Sequence, residues 1–195
     1  MTTTATASHR ARLTDGLAGA IAEKGYAAAT IADVVAHARV SKRTFYEHFA
    51  DKEACFLALY SQTTDELLAL IGAEVARADG GWAQRLATAA RAYFDRLAAE
   101  PALIRTGLIE IRAAGPTARA LRRDVQRRYA DMLRALSDEA AAEDPSVTPL
   151  SPVLATAVVG GIDELMLEAV EAGQEHRMGE LADAAIELIR AVLAR

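Results

Sequence analysis

The 195-residue sequence has little of several things. It contains a single cysteine, Cys55. One thiol excludes a disulfide framework and any zinc or iron–sulfur site built from cysteines, and it suits a reducing compartment. Cys55 itself reads as a small buried hydrophobe, and only weakly as a redox group. There are five prolines and twelve glycines, too few punctuators for a chain of short strands and turns. No apolar run approaches the ~18 residues that a membrane span needs. The opening Met1-Thr-Thr-Thr-Ala-Thr-Ala lacks a basic stretch followed by an apolar core, so it is expected to be a disordered leader rather than a signal peptide. A soluble, cytoplasmic protein with no membrane partner is the expectation. Enzyme signatures are missing too. The sequence has no Gly-x-Ser-x-Gly elbow, phosphate-binding loop or Gly-x-Gly-x-x-Gly fingerprint. Its four histidines, at positions 9, 37, 48 and 176, form neither a His-x-x-x-His nor a Glu-x-x-His pair. Asp163, Glu164, Glu168 and Glu171 are acidic neighbours, but without histidine they make a weak metal site. The expectation is a non-enzyme without metal or cofactor.

What is present is alanine and leucine, 45 and 21 residues respectively, the composition of an all-α protein. Nine helices are predicted. The first runs from about Ser8 to Lys24, since Leu13, Leu17, Ala20 and Ile21 recur at helical spacing and Gly25 stops it. Thr30 caps a short second helix, with Asp33 in the reciprocal capping position. After the turn Ala38-Arg39-Val40, Ser41 caps a third helix through about His48. Asp51 caps a long fourth helix to about Ala78, and Gly80-Gly81 breaks the chain. The fifth spans roughly Trp82–Ala99, and the sixth starts at Pro101. Gly115-Pro116 opens a seventh that reaches about Ala142. Ser151-Pro152 opens an eighth to about Ala172, and the ninth covers approximately Gly179–Ala194.

The net charge of −5 argues against a protein that coats nucleic acid over its whole surface. The charge is unevenly placed, however. Residues 1–60 hold seven basic against six acidic side chains, while the rest hold 15 against 21, and all three lysines lie in the first 60. Two short helices joined by a three- or four-residue turn have helix-turn-helix proportions. Within residues 30–52, Ile31, Val34, Val35, Val40, Phe45 and Phe49 form the apolar set. Removing them leaves Lys42, Arg43, Thr44, Tyr46 and His48 around the outer face of the third helix. A recognition helix needs such a face, with a bidentate-capable arginine for guanine edges and hydroxyl and ring groups for phosphates or a thymine methyl. Lys52 is placed to reach the backbone across the groove.

This stretch resembles the DNA-binding domain of the TetR family of bacterial transcriptional regulators. The matching residues are Thr30, Ile31, Ala32, Ala38, Val40, Ser41, Thr44, Phe45, Tyr46, His48, Phe49 and Lys52, in unbroken spacing. The Tyr-x-His-Phe-x-x-Lys end is highly specific. One position departs: Arg39 stands where the family has a turn glycine, at a cost on the order of 1 kcal/mol if the residue is left-handed. The resemblance implies an all-α, nine-helix TetR-like fold. Residues 1–50 would form the DNA-binding domain and residues 51–195 a ligand-binding and dimerisation domain, with the fourth helix as link. It also implies a homodimer that binds a near-palindromic double-stranded DNA operator, usually as a repressor, and releases it when a small molecule enters the C-terminal domain. The expected DNA-contacting set is Thr30, Arg39, Ser41, Lys42, Arg43, Thr44, Tyr46, His48 and Lys52. A helical homodimeric ligand-binding or carrier protein without specific DNA binding is the alternative, and Arg39 is its only support.

Beyond residue 60 the resemblance is architectural. Trp82, Tyr93, Phe94, Tyr129, Met132 and Met166 either line a pocket or pack in a core. Glu110 and Asp163, set among apolar residues, either meet a polar ligand group or face water. Six arginines of the seventh helix (119, 122, 123, 127, 128 and 134) are interleaved with Asp124 and Asp131 and read as a solvated face. The eighth helix supports a dimer independently. Leu154, Val158, Ile162, Leu165 and Ala169 mark one face, which Val153, Ala157, Met166 and Val170 widen, and Gly160-Gly161 costs roughly 1 kcal/mol per glycine unless another backbone approaches closely. Leu154, Val158, Gly161, Ile162 and Leu165, with Leu181, Ala185, Leu188 and Val192 of the ninth helix, are the expected interface. Such a two-fold interface suits recognition helices about 34–36 Å apart.

Overall fold

The computed structural model describes residues 2–100, 104–174 and 177–194, with side chains from His9 onward. Among these residues there are nine helices and no strand. We label them α1 (Thr2–Ala28), α2 (Ile31–Ala38), α3 (Lys42–His48), α4 (Lys52–Arg77), α5 (Trp82–Ala99), α6 (104–113), α7 (Pro116–Glu143), α8 (Pro152–Glu171) and α9 (Met178–Leu193). The expected all-α architecture is therefore the observed one. Met1 and the expected α6 start at Pro101 lie outside the described residues.

Two local expectations need correction. Residues 2–7, expected as a disordered leader, belong to α1. They contain neither proline nor glycine, so nothing stops a helix propagating backwards once its nucleus exists. The stop at the other end is where it was expected: Gly25 leaves helical geometry at φ 76°, and only a short turn follows it to Ala28. In α6, residues Thr106–Glu110 form a π-helical turn that the sequence pattern did not announce. Ile111–Ala113 return to α geometry before Gly115, at φ 105°, admits Pro116 at the start of α7. Such wide turns inside helices often mark functional places.

Three apolar clusters hold the helices together. The first joins Leu13, Leu17 and Ile21 of α1, Val34 of α2, Phe45 of α3 and Phe56 of α4, all fully buried or nearly so. It continues through Ile111 of α6 into Ala118 and Val125 of α7, so this core does not close at residue 50. The second gathers Leu67, Phe94, Leu108, Met166 and Met178, and the third gathers Ala140, Leu150, Ala155, Ile189 and Leu193. Burying each large side chain contributes roughly 1.5–3 kcal/mol. Gly16 of α1 lets α2 lie close: a Cβ there would sit 2.6 Å from the Val34 carbonyl oxygen.

Candidate nucleic-acid interface and ligand pocket

Local hydrogen bonds build the helix-turn-helix from the sequence. Thr30 Oγ1 accepts from Asp33 N (3.3 Å), and the Thr30 N–H donates to Asp33 Oδ2 (2.8 Å). Lys24 adds a bond to Asp33 Oδ1 at 2.9 Å. With Lys24 and Thr30 donating to it, the Asp33 carboxyl is held well below the usual carboxylate range. Ser41 Oγ accepts from Thr44 N at 3.0 Å and caps α3, and Asp51 Oδ1 accepts from Ala54 N at 2.8 Å to cap α4. Phe45 and Phe49 are buried and tie α3 to the first core.

Between α2 and α3, Arg39 adopts the left-handed conformation, φ 53° and ψ 48°. It is the one non-glycine residue with positive φ among those described. The turn keeps the geometry that a glycine would supply, and Arg12 supports it. The Arg12 guanidinium donates to the carbonyls of Ala38 (2.5 Å) and Arg39 (2.9 Å) from the neighbouring α1. Neither Arg12 nor Arg10, whose guanidinium lies 4.5 Å from the Phe49 ring centre, was singled out from sequence. Their spacing to the turn exists only in three dimensions.

The expected DNA-contacting residues divide by what they touch. Arg39, Lys42, Arg43 and Tyr46 are exposed; Tyr46 retains 59 % of its surface. Arg43 makes only an exposed pair with Glu47 four residues on, at 3.1 Å. Thr30, Ser41 and Thr44 spend their hydroxyls locally on the caps and on the Ser41–Thr44 contact of 3.0 Å. His48 is half-buried, its ring 6.2 Å from that of His9. Lys52 departs from expectation. Its ammonium donates to the carbonyls of Tyr26 (2.7 Å) and Ala29 (2.8 Å) and lies 4.3 Å from the Tyr26 ring centre. Two of its three donors thus serve carbonyls at the C-terminal end of α1 and just beyond it, which attract a cation, instead of pointing across a groove.

A cavity of about 150 Å³ opens among α4, α5, α7, α8 and α9. Seven of the eight expected ligand-site residues line it: Trp82, Tyr93, Phe94, Tyr129, Met132, Asp163 and Met166. The eighth, Glu110, does not. It is buried in the π turn, with Arg105 Nε 3.6 Å away and Gly25 beside it, so it belongs to the seam between α6 and α1. Asp163 is the polar feature of the wall. Arg122 Nη2 (3.0 Å) and Gln126 Nε2 (2.8 Å) both donate to its Oδ2. Burial nevertheless raises its pKa, outweighing these two donors. Burial also raises the hydroxyls of Tyr93 and Tyr129, and brings that of nearby Tyr60 to about 12, so all three remain protonated at neutral pH.

The expected dimer residues also divide. Val158 and Ala185 are buried in this chain's own clusters, and Ile162 and Ala185 line the cavity. The apolar stripe of α8 is wide because the helix carries two faces, one turned to its own core. Leu154, Gly161, Leu181, Leu188 and Val192 are part-exposed, and Leu165 keeps 40 % of its surface. Val153, which widens the same stripe, keeps 77 %.

Residues 13–59 match the tetR family of bacterial regulatory proteins. A TetR-family transcriptional regulator from Pectobacterium atrosepticum has the same fold over the entire chain, at 25 % identity and a TM-score of 0.76, with 99 % of that protein covered. The chain is thus similar to TetR-family regulators in the sequence of residues 13–59 and in the fold of the whole chain. TetR-family regulators are DNA-binding proteins rather than enzymes. Other similar folds include the fatty acid degradation regulator FadR from Bacillus halodurans (21 % identity, TM-score 0.82, 96 % of this chain and 97 % of that one). FadR from Bacillus subtilis, solved in complex with stearoyl-CoA, is 20 % identical with a TM-score of 0.80, covering 93 % and 98 %. No curated protein matches the chain in sequence. No helix among the described residues is long and apolar enough to cross a membrane.

Proposed function

We propose that this protein is a TetR-family transcriptional repressor that binds a near-palindromic operator as a homodimer and is released by a small molecule. The observation that carries the reading is the outer face of α3. Lys42, Arg43 and Tyr46 stand exposed on a helix whose opposite side is anchored by buried Phe45 and Phe49. Lys42 and Arg43 are the base-edge or groove readers. Arg39 and Tyr46 hold phosphates, while Thr30, Ser41, Thr44 and His48 fix the frame. Residues 1–50 form the reading head, α4 links it onward, and residues 51–195 hold the effector and the partner.

The exposed strip of α8 supports the dimer. Around Gly160 and Gly161 an added Cβ would meet no other element of the described residues within 4 Å, leaving room for a partner's backbone beside Val153 and Leu165. The mostly carbon-lined cavity supports an apolar effector, in keeping with the stearoyl-CoA held by the similar fold from Bacillus subtilis. Release is then a population shift, its size set by how much better the effector binds the conformer with mis-spaced reading heads.

The test is fluorescence anisotropy against the DNA upstream of the protein's own gene and against a random-sequence pool, at two salt concentrations. Saturable, selective binding that weakens with salt is expected. Tyr46→Ala should weaken operator and unrelated DNA alike, and Arg43→Ala should lose discrimination between them, by about 1–3 kcal/mol. An even loss across sequences in both variants would overturn the division of roles. Absence of selective binding to either DNA would favour the carrier reading. Arg39 no longer argues for that reading by itself, because the left-handed turn is kept and bonded.

A further inference from the structure

Taking the cavity as the effector site, its polar inventory narrows the effector's chemistry. Most hydrogen-bonding groups on the wall are already used. The Trp82 N–H donates to Asp144 Oδ2 at 3.2 Å. Ser137 donates to the Arg134 carbonyl (2.7 Å) and accepts from Leu150 N (3.0 Å). Arg85 is bonded to the Gly80 carbonyl and paired with Glu143. Tyr93 and Tyr129 bond to each other, and the buried acceptor left is Asp163. Both of its protein donors go to Oδ2, and Oδ1 takes no hydrogen bond from any described residue. A carboxylate four-fifths buried, with one oxygen unserved at a cavity wall, leaves an acceptor that a bound molecule can satisfy.

Charge then selects among donors. Arg122 lies 3.0 Å from Asp163, and both side chains are about four-fifths buried, so the pair is neutral as a unit. A cationic head would face Arg122 behind the carboxylate. An anionic head would face the open carboxylate oxygen directly, and among the described residues the cations acting on Asp163 are already paired, Arg122 with Asp163 itself and Arg112 with Glu164 at 3.8 Å. At the Trp82 end Arg85 is paired with Glu143, and the single charge of Arg190, bonded to the neutral Ala83 carbonyl, stands against both Glu139 and Asp144. Phosphates of a coenzyme A group would meet repulsion there.

We propose that the cavity binds an apolar molecule whose polar end is an uncharged hydrogen-bond donor, a hydroxyl or primary amide that donates to Asp163 Oδ1. It discriminates against the matching carboxylate and against the coenzyme A thioester. The protonated Tyr93 and Tyr129 hydroxyls, bonded to each other, leave one proton between them for the oxygen of the same head group. This effector differs in its head, though not in its apolar body, from the one in the similar Bacillus subtilis structure.

The full-length protein is titrated with 1-octanol, octanoate and octanoyl-CoA. Binding is followed by the emission of Trp82, the only tryptophan in the chain, and release by anisotropy of labelled operator. One buried hydrogen bond corresponds to about tenfold in affinity, so 1-octanol should bind at least tenfold tighter than the other two. Asp163→Asn frees Arg122 from its carboxylate, and should bring octanoate to within about threefold of the alcohol. Octanoate or octanoyl-CoA binding as tightly as 1-octanol to the unaltered protein would overturn the proposal and leave the effector site standing. If none of the three changes Trp82 emission or releases DNA, the cavity's role as effector site falls with it.

Discussion

Arg39 holds a left-handed backbone conformation with a full side chain, at a cost on the order of 1 kcal/mol. Arg39→Gly is therefore expected to stabilise the fold by no more than about 0.5 kcal/mol in urea denaturation, once glycine's larger unfolded-state entropy is set against the relieved strain. Arg12→Ala should destabilise by about 1–2 kcal/mol, because a guanidinium bonded to two carbonyls is lost. A double-mutant cycle should show that Arg12 matters less once residue 39 is glycine; strict additivity would remove Arg12 from the turn's support. Position 39 was legible as a conflict in the sequence, but its resolution was not, since Arg12 comes near the turn only when α1 packs across it. Lys52 shows the same limit. Its place after the Asp51 cap is local, whereas the carbonyls that hold it lie 23 and 26 residues earlier.

At the scale of the element, caps govern the reading head. Thr30→Ala should cost about 1 kcal/mol, read as a lowered urea midpoint with unchanged slope. The pH dependence of this corner follows from Asp33, whose folded pKa lies below its unfolded value of about 3.9. Its contribution is therefore complete above about pH 4 and fades as pH falls through the lower folded value. Melting Asp33→Asn beside the unaltered protein at pH 7, 4 and 3 should show a gap that closes toward acid; a constant gap would contradict the linkage. The caps at Thr30, Ser41 and Asp51 were legible because capping is decided within four residues. The π turn at Thr106–Glu110 was not, because an extra residue in a helical turn leaves the apolar spacing readable as ordinary helix.

For the whole molecule, the two faces of α8 make opposite predictions. Leu165→Glu touches a side chain that this chain leaves 40 % exposed. It should keep the helical circular dichroism signal, convert a dimer to monomer in light scattering, and weaken operator binding more than tenfold by uncoupling the two reading heads. Ala185→Glu, although in the same expected interface, falls in this chain's own core and should unfold the protein or close the cavity. Dimeric Leu165→Glu would place the interface elsewhere.

From its sequence alone this protein determined its all-α class, its helix order, its caps and the surface of α3, since helical period, capping and exposure are matters of near neighbours. Tertiary structure decided the rest. It chose which stripe of α8 and α9 turns inward, it drew Lys52 and Arg12 onto backbone carbonyls, and it gathered Trp82, Tyr93, Tyr129 and Asp163 around one cavity while leaving Glu110 outside. The physical reason is that an apolar period states that a face is buried, but not by what. That answer depends on contacts between residues far apart in the chain, which exist only once the helices have packed.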